Sequence, residues 1–390
     1  MTKKIFALVA AVVLVAAVAL SGCGSQGQGN TPAPAGDTIK IGVVTSITGD
    51  AAAYGTHSTN GVKLAAEQIN AAGGINGKKV ELIVEDDEGK PEKAVDAFNK
   101  LVDKDKVSLI IGATITKCSL AIAPLAQQQN ILMITPTSTN EEVTKFGDYV
   151  FRTCFIDPFQ GIVAAKFATG ELGKKKAAIV YDNGNDYSKG LTTQFEATFA
   201  ENGGQIVGKE AYSLNDQDFS AILANIKNSD PEVLYIPDYY SKVALIAKQV
   251  RDQGMDDVIL LGGDGWDEII NHAKDEVVGS FYSNHYSPES DDDQVKSFIS
   301  AYKEAYNNLD PNAFAALGYD AMQLVAKAVG DAGSAEAPAV RDAMAKISGK
   351  FVTGNISFDE NRNPVKSAVM IRVEKEGDNV VAKYYSTVNP

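Results

Sequence analysis

Histidine is scarce: His57, His272 and His285 are the whole supply, and none stands at a metal-binding spacing such as H-E-x-x-H. The sequence has no G-x-S-x-G elbow to carry a nucleophilic serine. After the first β-type run, the turn Gly42-Val-Val-Thr-Ser-Ile-Thr-Gly49 lacks the G-x-G-x-x-G that would let backbone approach a pyrophosphate. An enzyme reading therefore has no motif to rest on, and no cofactor is expected. Basic residues are outnumbered, 36 Lys+Arg against 50 Asp+Glu for a net charge of -14. Nucleic-acid binding needs clustered basic residues to neutralise phosphates, so it is excluded as a function class. The acidity itself reads as solubility. The acidic stretches Glu85-Asp-Asp-Glu88 and Asp291-Asp-Asp293 read as solvated loops rather than cation sites. The one long apolar run, Ile5 to Leu20, falls short of the roughly 20 residues a bilayer span needs.

What is present begins at that run. Lys3 and Lys4 precede it and Leu20-Ser21-Gly22-Cys23 closes it, the layout of an export signal with small residues at its cleavage point. The closing residues resemble a bacterial lipobox, which implies that Cys23 is acylated and becomes the new N-terminus. Loss of Lys3 and Lys4 with the signal leaves 34 basic residues against 50 acidic, a balance of -16. Gly24 to Asp37 has no large apolar residue and is expected to stay disordered, a tether with a reach of roughly 20 Å. The other two cysteines, Cys118 and Cys154, are expected as separate thiols, although spacing alone leaves a disulfide open.

From Thr38 onward, short β-branched runs alternate with helical patterns. Ile39–Val44 precedes a helix with Val62, Ala65, Ala66 and Ile69 on its apolar face, ended by Gly73-Gly74. Strands follow at Val80–Val84, Val107–Ile111 and Ile131–Ile134, with a helix at about Cys118–Gln129. Such alternation predicts βαβ units on parallel sheets. After Tyr149-Val-Phe-Arg152 the pattern restarts, with strands at Ala177–Tyr181, Ile206–Ala211, Val233–Ile236 and Val258–Leu261. Past strand Ser280–Ser283 come three helical stretches, at about 294–307, 312–330 and 337–347, then β-rich segments around Ile356, Val369 and Ala382. These late helices are too many for a second sheet alone, so the chain is expected to return to its first domain.

A set of motifs in this order resembles one family over nearly the whole mature chain. Ile39-Lys-Ile-Gly-Val, Thr48-Gly49, Tyr54-Gly55 and Gly61-Val62 open it, and Ile69-Asn70-Ala-Ala-Gly73-Gly74-Ile-Asn-Gly77 is the most specific stretch. Asp86-Asp87, Ile111-Gly112, Ile134-Thr135-Pro136, Phe151-Arg152-Thr153, Asp186-Tyr187, Asp218-Phe219 and Gly318-Tyr319-Asp320-Ala321 follow. The chain is similar to the branched-chain-amino-acid-type solute-binding proteins of ABC importers. That resemblance implies a type I periplasmic-binding fold, in which two doubly wound α/β lobes joined by three hinge crossings close on a ligand. The crossings should fall near Ile156-Asp157, His285-Tyr286 and Pro364 to Lys366. The expected organisation is a signal over 1–22, lipidated Cys23 and a tether over 23–37, one lobe from 38–156 with 286–365, and the other from 157–285 with 366–390.

A free amino acid buries a carboxylate and an ammonium group, and each charge costs several kcal/mol unless paired. The loop Thr114–Ser119 opens a helix, so its backbone N–H groups can face an anion, with Thr116 and Ser119 adding hydroxyls. The resemblance places the ligand carboxylate there, with Thr116 where the family has a serine; plain N-capping by the same hydroxyls is the alternative. Lys117 departs from the family's small hydroxyl residue and is expected to be solvated, unless it meets a second acidic group on the ligand. For the ammonium, the resemblance implies Thr137, Thr139 and Asp264, the last within Gly262-Gly-Asp-Gly-Trp266 and standing where the branched-chain receptors carry Glu. Tyr54, Tyr187 and Tyr239 match aromatic positions that line the family's cleft, and Trp266 is a candidate for the side-chain pocket. Thr137 and Ser138 make this wall more polar than an alanine-lined one, which widens the expected ligand to polar and aromatic amino acids. The implied partners are an amino acid, an ABC permease with its ATPase, and the membrane through the lipid on Cys23. The protein is expected to act as an extracytoplasmic monomer. Sensing without transport is the alternative role.

Overall fold

The structure is a computed structural model, and it describes residues 38–389. The expected export signal, Cys23 and the tether lie outside the described residues. Five parallel strands form the first sheet: β1 (Ile39–Thr45), β2 (Val80–Asp86), β3 (Leu109–Ile111), β4 (Leu132–Thr135) and β5 (Val150–Arg152), in the order β2-β1-β3-β4-β5. β3 and β4 are buried along their whole length, as continuous apolar runs must be when helices cover both faces. The helices between them are α1 (Ala52–Ala71), α2 (Pro91–Asn99), α3 (Thr116–Gln129) and α4 (Glu142–Lys145). α2 starts on proline, whose missing N–H would be unpaired there anyway.

The second sheet takes the order β14-β13-β10-β9-β8-β6-β7. Its parallel part is β6 (Lys176–Asp182), β7 (Gln205–Tyr212), β8 (Val233–Tyr235), β9 (Ile259–Gly262) and β10 (Phe281–Asn284). α5 (Asp157–Lys166), α6 (Asp186–Glu201), α7 (Ser220–Asn228), α8 (Tyr240–Asp252) and α9 (Ile269–His272) accompany it. Then come α10 (Asp293–Ala305), α11 (Ala313–Ala332), α12 (Ala337–Met344) and a small antiparallel pair, β11 (Ser348–Phe351) with β12 (Gly354–Ser357). β13 (Ala368–Glu376) pairs antiparallel to β10, and β14 (Asn379–Val388), antiparallel to β13, closes the second sheet.

α11 and α12 pack on the first sheet: Met322, Val325, Val329 and Val340 share one apolar cluster with Ile41, Leu109 and Ile134. α1 and α11 cross with their backbones nearly touching. A Cβ on Gly61 would stand 2.0 Å from the carbonyl oxygen of Ala315, and one on Gly318 would stand 2.1 Å from that of Ser58. Two of the short family motifs, Gly61-Val62 and Gly318-Tyr319, are thus the two sides of one helix crossing. Each sheet also reverses its winding, the first between β1 and β3 and the second between β6 and β8. In open α/β sheets, crevices for ligands form outside the carboxyl ends of the strands at such switch points. Both switch points here carry the loops that build the site.

Candidate functional site

Seven of the eight predicted ligand residues line one cavity: Tyr54, Thr116, Thr137, Thr139, Tyr187, Tyr239 and Asp264. They come from both sheets and from the carboxyl ends of several strands. Thr114 and Ile115, from the expected donor loop, complete the lining with Gly265 and Phe314, which were not foreseen as contacts. Gly265 sits in the glycine-rich loop of Asp264 and could have been included on that ground. Phe314 stacks on Tyr54 with ring centroids 4.2 Å apart, and no local pattern points to it, because its place depends on α11 returning to the first sheet.

The eighth residue, Ser119, stands behind the wall instead of in it. Its hydroxyl meets the Ser138 hydroxyl at 2.7 Å, donates to the Ala113 carbonyl at 3.1 Å and accepts from the Ala113 amide at 3.1 Å. Thr135 Oγ1 donates to the same carbonyl at 2.8 Å, and Thr137 Oγ1 donates to the carbonyl of Thr114. Hydroxyls therefore stitch the loop after β3 to the loop after β4. The first loop can pass this close only through Gly112, whose φ is 143° and whose Cβ would stand 2.2 Å from the Val44 carbonyl oxygen. From behind, the buried Arg152 donates to the carbonyls of Ser138 and Asn140, each at 2.8 Å. That fixes the Thr137–Thr139 turn and accounts for the Phe151-Arg152-Thr153 motif.

α3 starts after Ile115 in extended conformation, and among the described residues no side chain caps its first turn. N-capping by Thr116 or Ser119, the alternative weighed above, is absent. The uncapped turn faces the cavity with Thr116 at its head, an arrangement that suits an anion.

Asp264 faces it from the second sheet. Its Oδ1 accepts from Tyr187 Oη at 2.8 Å and from Gln160 Nε2 at 3.0 Å, while Oδ2 meets His285 Nε2 at 2.9 Å. Gln160 Oε1 in turn accepts from the Asp264 amide at 3.0 Å and from Ser283 Oγ at 2.9 Å. A buried carboxylate this well supplied keeps a fixed position. Tyr187 and Tyr239 stack at 5.1 Å, and Tyr54 meets Tyr239 edge-on at 5.7 Å. Burial pushes the phenols of Tyr54, Tyr187 and Tyr239 well above their ordinary range, so all three stay protonated donors. Tyr54, on α1, donates to the Gly265 carbonyl and accepts from the Tyr240 amide at 3.0 Å. This single hydroxyl ties the first sheet's side of the cleft to the second's. The space left inside is about 10 Å³, room for little more than one water molecule, so the two sides of the cleft are drawn together.

One expectation changes and two gain detail. Trp266 does not line the cavity: its indole N–H donates to the Ile236 carbonyl at 2.9 Å and its ring lies in the second sheet's core with Leu260 and Tyr282. A one-residue step past Gly265 turns the side chain inward. Lys117 is half-buried, and it lines an adjoining cleft of about 350 Å³ with Asp182, Asp238 and Lys242. That cleft shares Ile115 and Tyr239 with the inner cavity. The acidic stretch at Glu85–Glu88 builds a turn: Asp86 accepts from the Ile47 amide and the Thr48 hydroxyl, and Asp87 from Ser46 Oγ at 2.6 Å. Among the described residues no group of His, Cys, Asp and Glu could hold a metal ion. Cys118 and Cys154 are both buried and unpaired, and burial pushes the Cys154 thiol up to about 12.

Residues 38–378, which build this cavity at paired switch points, match a family model described as "Periplasmic binding protein". The chain belongs to the periplasmic binding protein family. A Pseudomonas aeruginosa relative, the leucine-, isoleucine-, valine-, threonine-, and alanine-binding protein, is 32% identical over 351 residues, covering 89% of this chain and 91% of the relative. The crystal structure of the leucine-binding protein LivK from Thermotoga maritima superposes with a TM-score of 0.85 at 36% identity, covering 90% of this chain and 99% of that one. LivJ from Streptococcus pneumoniae, a branched-chain amino acid transporter substrate-binding protein solved with isoleucine, gives 0.82 at 33% identity, covering 90% and 99%. This periplasmic binding protein therefore has the type I fold. No helix among the described residues is long and apolar enough to cross a membrane.

Proposed function

We propose that the protein captures an amino acid, branched-chain ones foremost, and presents it to an ABC permease. The observation that carries this reading is the pairing across one cavity of the uncapped α3 turn with the buried Asp264 carboxylate. A zwitterion carries two opposite charges, and each would be met by a fixed partner of opposite sign. Thr116 and the α3 amides take the carboxylate; Thr137, Thr139 and Asp264 take the ammonium; Tyr54, Tyr187 and Tyr239 cover the ligand. The relatives that bind leucine, isoleucine and valine support the choice of ligand class.

The moving parts are two lobes, 38–156 with 286–365 and 157–285 with 366–390. Closure brings Tyr187, Tyr239 and Asp264 onto the first lobe, and the permease reads the closed shape. Outside the cytoplasm, a lipid on Cys23 keeps the receptor at the membrane while the residues to Asp37 give it reach. The protein acts as a monomer and catalyses no reaction.

Isothermal titration against the twenty amino acids tests the reading, with leucine, isoleucine and valine expected to bind most tightly. Asp264→Asn is expected to weaken binding by about 2–5 kcal/mol, because it leaves a buried ammonium without a counter-charge. Absence of heat and thermal shift with every amino acid would sink the ligand assignment. Permease and ATPase genes beside this one separate import from sensing.

A further inference from the structure

The side chain of His285 has 0% exposure and follows β10, close to the proposed second crossing between lobes. Its Nε2 lies 2.9 Å from Asp264 Oδ2, and its ring stacks on Phe155 at 3.7 Å. Nδ1 has no hydrogen-bond partner among the described residues. A carboxylate only accepts, so the contact places a proton on Nε2, and a second proton on Nδ1 would be buried with no acceptor, which favours the neutral ring. Neutral, His285 donates to Asp264 and leaves its charge free for a ligand. Protonated, it would form an ion pair with Asp264 and spend that charge before the ligand arrives.

We infer that His285 is a positioning residue for the ammonium end of the ligand, acting through Asp264, and that its protonation weakens ligand binding. This rests on the reading of Asp264 as the ammonium's partner.

The surroundings set the direction. Burial lowers the imidazole's affinity for a proton most, Asp264 raises it, and Lys366, from the segment before β13, lowers it again. Cys154, from the segment after β5, faces the same Asp264 and Lys366 and stays a neutral thiol. Asp157, at the head of α5, also faces Asp264. Within its own segment His285 is held by its amide, which donates to Asn284 Oδ1 at 2.8 Å, while the Asn284 amide group reaches Asp267. A bound ammonium adds one more positive charge beside Asp264. The liganded ring therefore holds a proton less well than the free one, and binding expels it. Affinity then falls as pH drops through the free ring's titration, by at most tenfold per pH unit for one proton.

The test is titration of the full-length protein with L-leucine from pH 8 to 5, in buffers of different ionisation enthalpy. The expected result is a progressive loss of affinity toward acid, accompanied by proton release. His285→Gln keeps an amide donor that cannot titrate, and it is expected to abolish both the slope and the released proton. A flat wild-type profile, or a Gln variant that keeps the wild-type slope, overturns the inference. Should leucine and the other amino acids give no heat at any pH, the ligand assignment fails, and NMR of the His285 imidazole in the free protein decides this inference instead. An Nε2–H tautomer at pH 7 whose titration moves down in Asp264→Asn supports it. An Nδ1–H tautomer, or a titration indifferent to Asp264→Asn, overturns it.

Discussion

At the scale of single residues, a well-served carboxylate in the site stands near a poorly served one beside it. Asp264 is served by Tyr187, Gln160 and His285, whereas neither oxygen of the equally buried Asp157 has a hydrogen-bond partner of good geometry among the described residues. The Thr139 hydroxyl faces Asp157 and favours its charged form, but burial outweighs it and holds this carboxyl well above the usual carboxylate range. The Tyr235 hydroxyl nearby is likewise unpartnered. A carboxyl whose pKa is raised by folding stabilises the fold only while protonated, and that contribution is lost as pH climbs from its unfolded value of about 3.8. Asp157→Asn removes the ionisation and is expected to raise the melting temperature at pH 8 by a few degrees, with a smaller gain at pH 5. A clear drop at pH 8, read by calorimetry, would show that the charged form is held by something else. The family resemblance singled out Asp264, and its place after a strand and between glycines suited that role. Nothing local showed that His285 or Gln160 would hold it, because those contacts span 21 and 104 positions.

At the scale of elements, the α1–α11 crossing shows what a pair of glycines contributes. Neither Gly61 nor Gly318 needs a left-handed conformation; both are there because a carbonyl oxygen of the facing helix occupies the space of a methyl group. Gly318→Ala must push the helices apart and is expected to cost about 1–3 kcal/mol, visible as a lower urea midpoint with an unchanged slope. An unchanged midpoint would mean that the crossing is loose. The Asp320 carboxylate on the same helix accepts from the amides of Val352, at 3.0 Å, and Thr353, at 2.8 Å, and so docks the β11–β12 turn. Asp320→Ala leaves both amides unpaired in the interior and is expected to destabilise the fold by roughly 2–4 kcal/mol, against no change if the turn were merely resting there. Strand and helix positions were largely legible from periodicity. The first sheet's third strand starts only at Leu109, because Lys106 turns back with φ 59° and the Val107 amide donates to the Leu101 carbonyl.

At the scale of the whole molecule, buried acids shape the response to pH. Asp238 is pushed up to about 6, Asp267 to about 7 and Asp320 to about 6, each chiefly by burial. In each case the folded state binds the proton more tightly than the unfolded chain does. Their stabilisation is complete below the ordinary carboxylate value near 3.8 and is lost as pH rises to about 7. Lys366 is pushed down to about 8, so its penalty is already complete at neutral pH and adds no slope below it. His285 opposes the acids only as pH falls below its ordinary 6.5. The expected outcome is a higher melting temperature at pH 6 than at pH 8; the reverse order would mean that those acids are ionised and paired in the folded protein.

The sequence by itself determined the alternation of strands and helices, the absence of enzyme motifs, the acidic balance and most of the cavity wall. The alternation rests on local patterns, apolar period and glycines at turns, whereas the cavity wall was legible through the ordered motifs that carry the family resemblance. Tertiary structure alone decided that Ser119 braces the wall, that Trp266 faces the core and that Phe314 reaches Tyr54. It also decided that His285 and Gln160 hold Asp264. Such choices turn on which way a side chain faces once two sheets and a returning helix are packed, and an error of one residue along a strand or loop reverses that direction.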